Sequence, residues 1–287
     1  DLGVITNISY AHAKNFKSIN KIAEAKAEIM NNIKKGGIVV LNMDDSFYDF
    51  HKKFAFKKKL KSITFGIYNK SSMVKLYKIN KLENKYELFI KIQGFFFSFY
   101  SNNNNKSHLY NILATIASIS SFINIKKLKK DIFLSFQTPD GRGDISKVKL
   151  KNKKIFLVDE TYNSNPLSLK SAIENYDKID KKNFKKFLIL GDMLELGRHS
   201  SKQHKLISKI LNKTDIDKVF VIGKFIVETF KGLKLTKKAK ILNDKVNIFD
   251  LINKNLNNND YLMIKGSNST GLHKISRSLK KRISHVV

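Results

Sequence analysis

Residues 155–176 read IFLVDETYNSNPLSLKSAIENY, and this stretch decides the fold. Ile155, Phe156, Leu157 and Val158 form an unbroken apolar run that stops at two acids and a polar turn. That is the pattern of a buried parallel strand delivering side chains to its carboxyl end. Asn165 followed by Pro166 is the pair expected at a helix start, a side-chain cap and then a first-turn proline, so a helix is predicted over 166–176. The intervening loop, 159–165, then lies beyond a strand and at the positive end of a helix, where open α/β sheets take anionic or nucleotide ligands. Capping and turning alone would equally account for Asp159 and Asn165.

Downstream the same unit repeats. Strands are predicted at 155–159, 186–191, 218–222, 239–242 and 260–264, alternating with helices near 166–176, 200–211, 225–231, 245–256 and 270–283. Repeated βα units of this length predict a doubly wound, Rossmann-like parallel sheet with right-handed crossovers. Ser200 with Gln203 reads as a capping box. The strand ends place Asp159, Gly191, Asp192, Gly223, Asn243 and the run Lys265, Gly266, Ser267 along one edge, as a substrate cleft requires. QTPDGRG at 137–143 holds one of the two prolines and two of the 13 glycines and marks a boundary between domains 1–138 and 139–287.

Upstream, Gly3 to Ile8 reads as a buried strand with a polar exit leading to Ala11 and His12. Ser18 caps a helix expected from Ile19 to Ile33, ended by Gly36 and Gly37, with Ile22, Ala25, Ile29 and Ile33 on its core face. The stem of Lys26, next to Ala25, then enters a semi-buried environment. Ile38 to Leu41 and Ser62 to Gly66 are further strands, the first ending at Asn42, Asp44 and Asp45. From Met73 to Tyr100 the runs are broken at 81–84 and at Gly94, which predicts an antiparallel meander appended to the parallel sheet. Phe95, Phe96 and Phe97 are expected as a buried strand, and Leu109 to Ile123 as an apolar helix.

With 287 residues and 42% hydrophobic content the chain is long enough for two cored domains. No apolar run approaches the ~18 residues of a membrane span, and no signal peptide is visible. Zero cysteines exclude disulfides and thiolate chemistry and agree with a cytoplasmic protein. The formal charge of +31 invites nucleic acid as a partner, yet only Arg142, Arg198, Arg277 and Arg282 among 55 basic residues are arginines. Base readout and bidentate phosphate contacts favour Arg, so lysines spread along the chain read as solvated faces filled by an AT-biased composition. The chain opens on Asp1, without Met, at the edge of a strand, and is expected to be a fragment of a longer protein.

The segments GVITNISYAHAKNFKS with AKAEI, LNMDD, NILAT, PDGR, DETYNSNP, LGDMLELG with a following His204, and KGSNSTGL occur in this order over nearly the whole chain. Together they resemble the Mur ligases, ATP-dependent amide-forming enzymes of peptidoglycan synthesis. DETYNSNP and LGDMLELG point to the branch that joins D-alanyl-D-alanine to UDP-muramoyl-tripeptide. The resemblance implies a partial central ATPase domain followed by a C-terminal domain, ATP and Mg²⁺ as cofactors, and a cytoplasmic monomer. Its Gly-rich phosphate loop would precede Asp1, and no GxxGK[ST] occurs in the 287 residues, so this stretch alone is not expected to turn over ATP.

By the same resemblance His12 holds a Mg²⁺, and Lys26, carbamylated by CO₂, supplies it with oxygen. A core or capping His and a solvated Lys are the competing readings. Asn111 reads adenine, Asn42 lies near the same nucleotide, and Arg142 reaches the ATP phosphates. Asp159, Glu160 and Tyr162 face the nucleotide, while Asn163, Asn165, Asp192, Lys265 and Ser267 line the substrate cleft. Helix-end and cap roles compete for Asn42, Asn111, Asp192 and Glu195. Departures from the family pattern are Ser9 and Tyr10 for Gly-Pro, Lys14 for an acid, His108 for Asn, Glu160 for Asp, and Asn268 and His273 for Arg and Glu. Another Mur ligase, a folylpolyglutamate synthase-like ligase, and a basic nucleic-acid-binding protein are the alternatives.

Overall fold

The computed structural model describes all residues except 12, 137–138, 151, 181–182, 244–247 and 282–287. The chain divides into two compact units, one of residues 1–9 and 16–137 and one of residues 10–15 and 138–287.

In the first unit β1 (Leu2–Ile5), β2 (Ile38–Asn42) and β3 (Lys61–Gly66) run parallel, and β4 (Val74–Lys81) joins β3 in parallel. β5 (Tyr86–Ile92) and β6 (Phe95–Ser101) complete the expected antiparallel meander, so the six strands lie in chain order. α1 (Ile19–Ala27), α2 (Tyr48–Lys57) and α3 (Lys106–Ile119) accompany the sheet. α3 buries Leu109, Ile112, Leu113 and Ile116 against Val40, Phe65, Leu88 and Ile90.

Three local expectations change. Ser18 does cap α1, accepting from the Lys21 amide, but the helix tightens into a 3₁₀ segment at Glu28–Asn32. Its buried face is Ile22, Ala23, Ala27 and Met30, leaving Ile29 45% exposed, because the tighter winding rotates the last turn. Phe95 and Phe96 are 62% and 57% exposed at the start of β6, the edge strand of its sheet, which has no neighbouring strand on its outer side. α2 has no counterpart in the sequence reading; its lysine-rich surface interrupts the apolar period, and it buries only His51 and Ala55.

The second unit holds β7 (Asp144–Leu150), β8 (Lys153–Glu160), α4 (Pro166–Asp177), β9 (Lys186–Gly191), α5 (Ser200–Leu211), β10 (Lys218–Ile222), α6 (Val227–Lys231), β11 (Lys238–Leu242), α7 (Ile248–Asn255), β12 (Tyr261–Lys265) and α8 (Leu272–Lys280). The order is β11-β10-β9-β12-β8-β7, parallel except for β7. The antiparallel β7 was not expected; its exposed–buried alternation is that of a one-sided edge strand. Phe187 and Ile189 pack with α7 and α8, while Leu188 and Leu190 point the other way and are equally buried, so both faces of the sheet are covered. Asn165 and Ser168 form a reciprocal capping box at α4, with Pro166 in its first turn. Ser200 does not cap α5: His199 holds that position, without a side-chain cap bond.

Asp44 ties the first unit's strand ends together. Its carboxylate accepts from the backbone amides of Ile67, Tyr68 and Asn69 and from the Tyr110 hydroxyl. Asp44→Ala leaves these donors unpaired and is expected to lower unfolding stability by about 2–3 kcal/mol. Urea denaturation checks this, and a change of under about 0.5 kcal/mol would contradict it.

Candidate functional site

The strand ends of the first unit gather Asn42, Asp44, Asp45 and Lys26. Asn42 is buried, its Nδ2 donating to Thr6 O at 2.9 Å and its Oδ1 accepting from the Asp44 amide at 2.9 Å. Asp45 accepts from the Ile8 and Phe47 amides at 2.8 and 2.9 Å. Lys26 is largely exposed, yet its Nζ donates to Asn7 O at 3.0 Å. Local burial lowers its pKa, and Asp45 opposes the shift. Asn111 is exposed on α3. His108, beside the Ser101 hydroxyl at 3.0 Å, has its pKa lowered by burial. His12 lies outside the described residues. Among the described residues no three His, Cys, Asp or Glu side chains gather into a metal-binding group.

The second unit's site is built by the register of β12 beside β8, which makes Lys265 the direct neighbour of Glu160 and Ile264 that of Asp159. Lys265 is 2% exposed, and its Nζ reaches Glu160 Oε2 at 3.2 Å and Asn163 O at 2.9 Å. Burial pushes the Lys265 pKa down and the Glu160 pKa up, each opposed by the other's charge. Asp159 is 3% exposed; burial alone would raise its pKa, but hydrogen bonds from Lys280 and Thr161 bring it below the usual carboxylate value. Ser267 Oγ donates to Ser164 O at 3.1 Å and accepts from the Leu194 amide at 2.8 Å, joining three strand-end loops. Ser164 Oγ is itself buried without a partner among the described residues.

Asp192 is turned inward. Its carboxylate accepts from the amides of Lys224, Phe225 and Ile226 at 2.7–2.9 Å. Gly223 makes this possible: at φ +136° it brings the backbone so close that a Cβ would lie 2.6 Å from the carboxylate. Glu195 is exposed at φ +62°, and Asn163 is exposed in its loop. Arg142 and Tyr162 stack on one another, guanidinium carbon to ring centroid 4.1 Å, with Tyr162 50% exposed and Arg142 at the surface. Within this unit, then, Arg142, Tyr162 and Asn163 present groups to solvent, while Asp159, Asp192, Lys265 and Ser267 hold the loops in place. The sequence reading missed Lys280 and Asp144, which grip Asp159 and the Arg142 turn; no local spacing marks an isolated helix lysine as the partner of a strand-end acid.

Each unit is an α/β fold with a mixed sheet whose parallel strands end in polar loops, the form in which open α/β sheets take ligands. Residues 1–119 match the Mur ligase middle domain, and residues 146–268 match the Mur ligase glutamate ligase domain. The chain belongs to the Mur ligase family. It is 30% identical over 300 residues to the UDP-N-acetylmuramoyl-tripeptide–D-alanyl-D-alanine ligase of Buchnera aphidicola subsp. Acyrthosiphon pisum, covering 98% of this chain and 60% of that protein. The Bacillus subtilis ligase of the same name is 27% identical, covering 97% of this chain and 59% of that protein. The chain thus spans about three fifths of the curated relatives it matches. The crystal structure of MurF from Acinetobacter baumannii shares the fold, with a TM-score of 0.82 at 20% identity over 98% of this chain and 59% of that one.

His204, which follows LGDMLELG, is fully buried: Nδ1 lies 2.8 Å from Ser200 O, and Nε2 accepts from the Met193 amide at 2.9 Å. These contacts require the neutral, Nδ1-protonated tautomer. Burial lowers the His204 pKa, opposed by the Ser200 carbonyl and by Asp192 and Glu228. An unfolded His titrates near 6.5, so this stabilisation is complete above about pH 6.5 and is lost as pH falls through the lower folded value. Thermal melts at pH 7.5 and 5.0 are expected to show a smaller acid-induced fall in Tm for His204→Gln than for the natural chain. Equal falls would contradict the assignment.

Proposed function

We propose that this chain is the larger part of an ATP-dependent ligase that joins D-alanyl-D-alanine to UDP-N-acetylmuramoyl-tripeptide in peptidoglycan synthesis. The carrying observation is that relatives bearing this name align over 96–98% of the chain, through both units. The 1–138 and 139–287 parts serve as the end of the central ATP-binding domain and the C-terminal domain. The whole protein acts as a monomer in the cytoplasm, where ATP and UDP-linked precursors are available.

In this reading ATP supplies the phosphoryl group that activates the acceptor carboxylate, and the dipeptide amine displaces phosphate as the amide forms. Mg²⁺, when bound, neutralises phosphate charge. The phosphates find an electropositive contact in Arg142, whose guanidinium is pre-oriented by the Tyr162 ring and open to solvent. Asp159 and Glu160 sit beneath that contact, and Asn163 and Asn165 border the dipeptide, on a loop held rigid by Lys265 and Ser267. Asn42 and Asn111 serve the adenine side; Asn42 does so by bracing two strand ends. Asp192 shapes the cleft indirectly, through the 224–226 amides.

Lys26 fits carbamylation in one respect: its depressed pKa enlarges the neutral amine fraction that can attack CO₂. Among the described residues no group of three His, Cys, Asp or Glu side chains surrounds it, so the metal is assigned to His12 and carbamylated Lys26 by resemblance, and no step is routed through it. Residues 1–287 carry no phosphate loop and by themselves do not turn over ATP.

The test measures phosphate release by the complete protein that contains this chain. ATP, UDP-muramoyl-tripeptide and D-alanyl-D-alanine should support turnover, and Arg142→Ala should lower kcat/KM by about 10²-fold. Turnover with a free amino acid but not with the dipeptide would assign the chain to another amide ligase and overturn the proposal.

A further inference from the structure

We infer that Lys280, in the last turn of α8, is a positioning residue that sets the orientation of Arg142. Arg142 sits in a turn that starts at Pro139 and ends where β7 begins. The Arg142 amide donates to Pro139 O at 3.2 Å, the Gly143 amide to Asp159 O at 2.7 Å, and the Tyr162 amide to Gly141 O at 3.0 Å. Gly141, at φ +75°, is so close to the next loop that a Cβ there would lie 2.8 Å from the Tyr162 nitrogen. Asp144 fastens this turn from within: its Oδ1 accepts from the Gly141 amide at 2.9 Å.

Asp144 is directly opposite Asp159 in the β7–β8 ladder, a like-charge pairing that destabilises a sheet when left alone. Lys280 removes the conflict. Its Nζ bridges Asp144 Oδ2 and Asp159 Oδ2, the latter at 2.7 Å. Both Asp144 oxygens are then engaged, Oδ1 by the turn and Oδ2 by α8, so the carboxylate has one orientation open to it. The hydrogen bonds to both acids raise the Lys280 pKa although burial opposes them, which keeps the bridge charged at neutral pH. α8 packs against β7, and the chain of contacts runs from Lys280 through Asp144 and Gly141 to the guanidinium stacked on Tyr162.

Only the catalytic consequence of this inference rests on the proposed function; the geometry is measured separately. In NMR spectra of the 287-residue chain, Arg142 side-chain protons lying over the Tyr162 ring are expected to be shifted upfield. That shift is expected to collapse toward the unstructured value in Lys280→Met and to survive in Lys280→Arg. If Lys280→Met does not fold, Asp144→Ala, which leaves the Lys280–Asp159 pair intact, is expected to give the same collapse. An unchanged Arg142 shift in whichever of these variants folds overturns the inference. In the complete protein that contains this chain, Lys280→Met should lower kcat/KM about tenfold when Arg142 is present and leave it nearly unchanged in an Arg142→Ala background. Additive losses also overturn the inference. Absence of ligation in the unmutated protein would strike the functional reading alone, since the proton shifts report on the geometry without it.

Discussion

The ion pair between Lys265 and Glu160 is the contact on which the second unit's site depends. Two charges removed from water are costly, and such a pair persists only where geometry and extra hydrogen bonds compensate. Here both conditions come from the sheet. The last strand, β12, enters between β8 and β9 and brings the two residues side by side, and the Lys265 ammonium finds the Asn163 carbonyl as a further acceptor. The loop that follows β8 is therefore fixed from below, and its exposed members, Tyr162 and Asn163, ride on that support.

The two units solve the same problem in the same way. A parallel strand ends, and a carboxylate just beyond it collects the backbone amides of a neighbouring loop: Asp44 those of residues 67–69, Asp192 those of residues 224–226. Backbone donors at such places have no helix or ladder partner, and a charged acceptor satisfies several at once. Residues that look like ligand contacts in the sequence thus divide into two sets, one that holds loops and one that is left facing solvent.

The lysines follow a similar division. Most are spread over the surface, as the charge pattern implies, but several are structural. Lys186 and Lys237 are buried, with Nζ donating to Asp177 O at 2.7 Å and to the Thr214 and Ile216 carbonyls at 2.6 and 2.7 Å. Lys153 reaches the carbonyls of Asn253 and Leu256 at the end of α7. A lysine stem packs like an aliphatic chain while its ammonium closes off backbone acceptors.

Alternation of apolar runs with capped helices was enough to specify the βα repeat, the meander after β3, and the start of α4 at Asn165 and Pro166, because these are local consequences of period, cap and proline geometry. The residues DETYNSNP and LGDMLELG likewise marked the two loops where the second unit's polar groups converge. Only the tertiary structure decided that β7 runs antiparallel at the edge, that α2 exists, and that Phe95 and Phe96 face solvent. It alone paired Lys265 with Glu160 and Lys280 with Asp144 and Asp159, partners 105 to 136 positions apart. Such pairings are set by which strand enters beside which, and no spacing along the chain encodes that order.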